Sequence, residues 1–235
     1  MPHVVEQSRI EHLAEAFEQA TPSEILLEAV KQIKNITFAC SFGVEDMMIV
    51  DLIGQLGLTL PIFYLDTNLL FGETYALIDI VKEKYPHLQF VQVLPKLTLD
   101  EQAQQHGDTL WSSRPDQCCA LRKVRPLEDH LNGYEGWITG IRRDQSPARA
   151  NAQTFERDDR FGLTKVNPLV RFTEDEVWQY VRDNNVPYNL LHDHGYPSIG
   201  CAPCTKAVAP GEDPRSGRWA GFAKTECGLH QDTNE

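Results

Sequence analysis

The chain has 235 residues, 41% of them hydrophobic, which suffices for one substantial core and a smaller appendage. With 34 acidic against 22 basic residues and a net charge of −12, a broad nucleic-acid or membrane surface is excluded as an expectation. The opening MPHVVEQSRIEHL has no apolar signal core and no run reaches transmembrane length, so a cytoplasmic location is expected.

In chain order, residues 7–20 read as an amphipathic helix, with Ile10, Leu13 and Phe17 at helical spacing. Thr21-Pro22-Ser23-Glu24 matches a capping box with proline in the first turn and opens a helix to about residue 33. Ile36 to Cys40 is a short apolar strand that runs into Ser41-Phe42-Gly43-Val44-Glu45-Asp46 and then a helix through Met47, Ile49, Val50 and Ile53. Leu60 to Leu65 is the next strand, ending at Asp66-Thr67, followed by helix 72–84 and strand 88–93. Trp137 to Thr139 and Lys165 to Val170 read as further strands, and a second capping box, Thr173 with Glu176, starts a helix with Phe172 and Val177 as a hydrophobic staple. This alternation predicts an α/β fold, a mainly parallel sheet covered by helices on both faces, with an irregular segment rich in Pro, Gly and Cys after about residue 186.

Ligands in such folds bind at the carboxyl ends of strands. Ser41-Phe42-Gly43 offers a hydroxyl, a permissive glycine and helix N–H groups suited to a phosphate or sulfate, although Ser and Gly also occur in such turns for steric reasons. Asp66-Thr67 suits the adenine or ribose of a nucleotide, or merely caps a loop. Arg142 and Arg143, in Gly140-Ile141-Arg142-Arg143-Asp144-Gln145-Ser146, carry paired N–H donors for an anion. Basic residues gather at three motifs: Arg114, Arg122, Lys123 and Arg125; Arg142, Arg143 and Arg149; Lys206, Arg215 and Arg218.

Five of the six cysteines form three groups: Cys118-Cys119, Cys201-Ala-Pro-Cys204 and a lone Cys227 in Glu-Cys-Gly-Leu-His. Adjacent Cα atoms lie closer than the usual disulfide range, so Cys118 and Cys119 are poor partners for each other. Adjacent thiolates crowd one tetrahedral zinc, whereas a multi-iron cluster gives each neighbour its own metal, so an iron–sulfur site is favoured over zinc. Cys227, apart from the other four, reads as a reactive thiol.

The SFGVED loop, the LDT strand end, the CC pair, the GIRRDQS segment, the CAPC pair and the ECGLH tail together resemble the assimilatory adenylyl-sulfate reductases, relatives of the 3′-phosphoadenylyl-sulfate reductases. The resemblance covers about residues 36–230, in order. It implies an adenine-nucleotide α-hydrolase-like, Rossmann-like fold. It also implies a [4Fe–4S] cluster on Cys118, Cys119, Cys201 and Cys204, and Cys227 as nucleophile. Lys123 falls at a family lysine between cluster and substrate, and Arg149, Arg215 and Arg218 where family arginines surround the sulfate. Asn68 and Gly72 replace a glycine and a proline that the family commonly has there.

The chemistry expected is attack of the Cys227 thiolate on the sulfur of adenylyl sulfate, expelling AMP and leaving a Cys S-sulfonate. An external thiol, from thioredoxin or a glutaredoxin, then releases sulfite. The cluster is expected to organise the site and polarise the sulfate, since the electrons come from thiols. His230 either assists the thiol, binds substrate or is an exposed tail histidine. Residues 1–210 are expected to form one nucleotide-binding and iron–sulfur domain and 211–235 a mobile tail carrying the nucleophile. A homo-oligomer is a family expectation. Rival readings are a 3′-phosphoadenylyl-sulfate or dual-specificity reductase, an ATP-pyrophosphatase or tRNA-thiolating enzyme, and a zinc-stabilised binding module. The pyrophosphatases typically carry Ser-Gly-Gly-x-Asp-Ser, where this chain has Phe42 and Glu45-Asp46.

Overall fold

The structure is a computed structural model that describes residues 2–219, 221 and 222. Helices α1 (Pro2–Phe17) and α2 (Pro22–Gln32) lead into β1 (Ile36–Ala39), α3 (Val44–Gln55), β2 (Pro61–Leu65), α4 (Gly72–Lys84) and β3 (Gln89–Val93). A helical crossover follows: α5 (Leu99–His106), α6 (Leu110–Ser113), α7 (Pro115–Cys119), a π-helical turn at Ala120–Val124, and α8 (Arg125–Leu131). Then come β4 (Gly136–Ile138), β5 (Phe155–Asp158), β6 (Leu163–Val166) and α9 (Glu174–Asp183). Among the described residues no helix is long and apolar enough to cross a membrane.

The six strands form one sheet in the order β3-β2-β1-β4-β6-β5, parallel throughout except for the β5–β6 pair. The two-residue period of a strand sorts its side chains onto two layers. Ile36, Phe38, Ile62, Tyr64, Ile138 and Val166 pack with apolar residues of α1, α2, α3, α4 and α9. Phe63, Leu65, Val91, Val93, Trp137 and Leu163 face the other way, against Leu127 and Leu131 of α8. Helices therefore cover both faces, as the alternating pattern implies.

Both capping boxes form: Glu24 accepts from the Thr21 N–H at 2.7 Å and Glu176 from the Thr173 N–H at 2.8 Å. Phe172 and Val177 belong to the same apolar cluster. The last strand departs from expectation, ending at Val166 rather than Val170. Pro168 has no N–H to give a ladder, and the buried Asn167 turns its side chain to Thr139, Gln153 and Glu156. Strand β5 carries one apolar residue, Phe155, among Glu156, Arg157 and Asp158, so it shows little of a strand's usual apolar signal.

Candidate active site

Strand order runs outward from β1 to β3 on one side, and β4 then lies on the other side of β1, which makes the carboxyl ends of β1 and β4 the topological switch point. A cavity of about 300 Å³ opens there. Its lining includes Ser41, Phe42, Gly43, Glu45 and Asp46 after β1, Thr139 to Arg142 with Gln145 and Arg149 after β4, Lys123 after the cysteine pair, and Pro214, Arg215, Arg218 and Trp219.

The floor is the uncapped start of α3. Gly43 is its N-cap and has no side chain to satisfy the first N–H groups, so these remain available to an anion. Phe42 bends the chain into this start with φ +60°, costly for a bulky residue and offset by burial against Tyr64 and Phe90. Ser41 ties the loop to the helix: its N–H and hydroxyl both donate to Asp46, at 2.6 and 2.5 Å, and its oxygen accepts from the Gly43 N–H.

Two acids in that first turn oppose an anion, and both are quieted. Glu45 accepts from Arg142 Nε at 3.0 Å and from Gln145 Nε2 at 2.8 Å. Burial pushes the Asp46 carboxyl up to about 7, against the hydrogen bonds from Ser41 that lower it. Gly140 makes the arrangement possible, since a Cβ there would stand 2.2 Å from Asp46 Oδ1. Arg142 thus lines the cavity, but its buried guanidinium is committed to Glu45, Asp144 and the Phe172 carbonyl.

Arg149 stands on the α3 side, where it donates to Gln145 Oε1 and offsets the Asp46 carboxyl, while Lys123, Arg215 and Arg218 make up a further wall. Behind it lies a second, smaller pocket lined by Cys118, Cys119, Cys201 and Cys204 together with Thr67, Arg122, Lys123, Arg218 and Trp219. Lys123 and Arg218 belong to both pockets. The π-helical turn at 120–124 sits where Pro126 lacks an N–H to continue the α-helical ladder. Within it the neighbouring positions diverge: Lys123 meets the cavity, while Arg122 is buried and donates to the Thr67 and Leu97 carbonyls, Gln102 and Asn68.

Among the described residues none of these four cysteines is in a disulfide, and Thr67 Oγ1 lies 3.3 Å from Cys201 Sγ. Burial, then the neighbouring thiols, push Cys118 up to about 12 and Cys204 to about 11, so ionising these two calls for a cationic partner. Among the described residues no group of three or more His, Cys, Asp or Glu side chains stands ready for a single metal ion. A [4Fe–4S] cluster takes one thiolate per iron, and four soft thiols around one pocket match that donor chemistry.

Three of the expected substrate contacts stand elsewhere. Asp66 is buried and accepts from the Asn68 N–H, Tyr75 and Gln92. Thr67 faces the cysteines. Arg143 pairs with Glu18 at 2.6 and 2.9 Å and donates to the Ala152 carbonyl, fastening the loop after β4 to the end of α1. Of the basic residues beside the cysteine pair, Arg114 donates to the His106 carbonyl at 2.6 Å and only Lys123 reaches the cavity. Cys227 and His230 lie outside the described residues, as does most of the expected tail. Sequence reasoning missed His192, which lines the cavity edge-on to Trp178, and Ser198, which bonds Arg218. Neither sits in a motif with a chemical signature.

Residues 35–207 match the family model described as phosphoadenosine phosphosulfate reductase domain. The adenosine 5′-phosphosulfate reductase of Halalkalibacterium halodurans is 48% identical over 226 residues, 96% of this chain and 98% of that one. Adenosine 5′-phosphosulfate reductase 1 of Bacillus subtilis is 52% identical over 83% of this chain and 84% of its own length. Among solved structures, phosphoadenylyl-sulfate reductase from Candida auris, a phosphate complex, superposes with a TM-score of 0.75 at 31% identity, covering 86% of this chain and 97% of that one. Candida glabrata FMN adenylyltransferase shares the fold alone, with a TM-score of 0.61 at 15% identity over 88% of this chain and 70% of that one.

Proposed function

The chain belongs to the phosphoadenosine phosphosulfate reductase domain family, a family of sulfate-reducing enzymes, and from that premise we propose that it reduces adenylyl sulfate to sulfite and AMP with a protein thiol as reductant. The observation that carries this reading is the shared wall: one cavity at the strand switch point whose basic residues, Lys123 and Arg218, also line the pocket of four cysteines. Relatives at 48% and 52% identity named for adenosine 5′-phosphosulfate favour the substrate without a 3′-phosphate. The Candida auris structure, at 31%, favours the second reading, a reductase that also takes the 3′-phosphorylated form.

The nucleotide's phosphate faces the start of α3, where backbone N–H groups accept negative charge and Arg142 and burial hold Glu45 and Asp46 quiet. The transferable sulfate lies toward Lys123, Arg149, Arg215 and Arg218, which offset the repulsion between an incoming thiolate and an anionic centre. Cys227 attacks the sulfur; the S–O bond to the phosphate breaks, AMP leaves, and a Cys227 S-sulfonate remains. A thiolate of thioredoxin or a glutaredoxin attacks Cys227 Sγ and sulfite departs. The partner's second thiol resolves the mixed disulfide, so two electrons pass from the dithiol to sulfur. His230 is a candidate to assist the thiol.

Cys118, Cys119, Cys201 and Cys204 would hold a [4Fe–4S] cluster, whose chemistry there would be to polarise the sulfate end of the site. The expected cytoplasmic setting suits cysteines that must stay reduced. Incubating the protein with adenylyl sulfate and no reductant tests the reading. One AMP per chain should be released, and mass spectrometry should find a sulfonate on the Cys227 peptide. AMP release without that adduct would refute the covalent step.

A further inference from the structure

Arg218 is held in an unusual way for a cavity arginine. Both hydrogen bonds of its guanidinium among the described residues leave from Nη1, to Ser198 Oγ at 3.1 Å and to the Ile199 carbonyl at 3.4 Å. Nε is buried with no partner among the described residues. The guanidinium carbon lies 4.5 Å from the centroid of the Trp219 ring. On the segment leading to Cys201, the backbone of Gly200 comes so near that a Cβ would stand 2.3 Å from Nη2, 2.6 Å from the guanidinium carbon and 3.1 Å from Nε.

The root of Arg218 is also fixed. Thr205 and Arg218 form an antiparallel bridge, the Trp219 N–H donates to the Cys204 carbonyl at 2.9 Å, and the Lys206 N–H donates to the Gly217 carbonyl at 2.9 Å. An arginine anchored at its backbone, pinned through Nη1 and packed on an aromatic ring loses little side-chain freedom on meeting an anion. Its charge and planar donors are then already oriented when an oxyanion arrives.

We propose that Ser198 and Gly200 are positioning residues for Arg218: the serine hydroxyl sets the guanidinium plane from one end, and the missing Cβ of the glycine leaves room for the guanidinium to lie flat against the backbone, so that the sulfate meets it in one orientation. This rests on the reading of the site as one for adenylyl sulfate. Both residues act through Arg218, so their effects belong to the sulfate end of the ligand and vanish when Arg218 is absent.

The test compares binding of adenylyl sulfate and AMP to Cys227→Ser protein, purified anaerobically, by equilibrium titration. Ser198→Ala should weaken adenylyl sulfate about tenfold, the scale of one hydrogen bond to a charged group, and leave AMP unchanged. Gly200→Ala should do the same or more, and Ser198→Thr should restore binding. In an Arg218→Ala background, Ser198→Ala should have no further effect. Equal weakening of AMP, or an undiminished effect of Ser198→Ala without Arg218, would overturn the proposal. Should Gly200→Ala fail to fold, the serine series decides alone. Failure of Cys227→Ser protein with Ser198, Gly200 and Arg218 intact to bind adenylyl sulfate at all would instead remove the functional reading, and this inference with it.

Discussion

At the scale of single residues, Asp46 shows how burial and hydrogen bonding compete. Its carboxyl accepts two short bonds from Ser41, yet burial pushes it up to about 7. The folded chain therefore holds a proton that the unfolded chain has released by about pH 5. Between about pH 4 and pH 7 this group makes stability fall as pH rises, and above that its penalty is constant. Urea midpoints should show wild type losing about 2 kcal/mol relative to Asp46→Asn between about pH 5 and pH 8. A difference that stays flat would mean that the carboxyl ionises in the native state as it does in water. Lys123, shared by both pockets, makes a kinetic prediction: Lys123→Ala should lower kcat/KM about 10²-fold while the thermal midpoint stays close to wild type. An equal loss of folded protein would explain the activity without any contact to sulfate.

Elements place these residues by close approach, and close approach is largely invisible in a sequence. The turn after β4 can lie against the start of α3 because Gly140 has no Cβ to meet Asp46 Oδ1 at 2.2 Å. Gly140→Ala should cost about 2 kcal/mol in chemical denaturation, the range of overpacking, and weaken nucleotide binding; a neutral variant would show that the turn can swing away. The π-helical turn beside the cysteine pair makes a similar case, because Arg122 is wholly engaged there with Thr67, Leu97, Gln102 and Asn68. Arg122→Ala would strand those acceptors in the interior, and a loss of about 3 kcal/mol is expected. Sequence reasoning counted Arg122 among the basic residues around an anion, because composition cannot tell a buried strut from a ligand contact. The same limit applied to Arg143, spent on Glu18, and to Asp66, spent on Tyr75 and Gln92. Capping boxes were legible where sought, at Thr21 and Thr173, since their chemistry is local. Thr98 with Glu101 had the same signature and would have revealed α5. Asn68, in place of a common family glycine, takes φ +58°, a conformation that asparagine tolerates better than most residues.

For the whole molecule, the alternation of apolar strands and amphipathic helices carried the fold class, because a parallel sheet demands helices on both faces. It did not carry the antiparallel β5, whose polar residues give little periodic signal. Loop motifs after strands pointed to the end of the sheet where the cavity lies, since the switch point brings the ends of β1 and β4 together. What no motif announced is the shared wall, where the segment 215–219 is stitched to the strip holding Cys204 and so joins the cysteine pocket to the cavity. That junction makes one unit of the cysteines and the basic wall, and it underlies the assignment of reductase chemistry. The most direct measurement is anaerobic sulfite release from adenylyl sulfate with thioredoxin, run beside the 3′-phosphorylated substrate and the Cys227→Ser variant. Turnover of adenylyl sulfate that exceeds turnover of the 3′-phosphorylated form and falls to background in the variant is the predicted result. Protein with its cysteine site loaded that turns over neither substrate, or a variant as active as wild type, would contradict it.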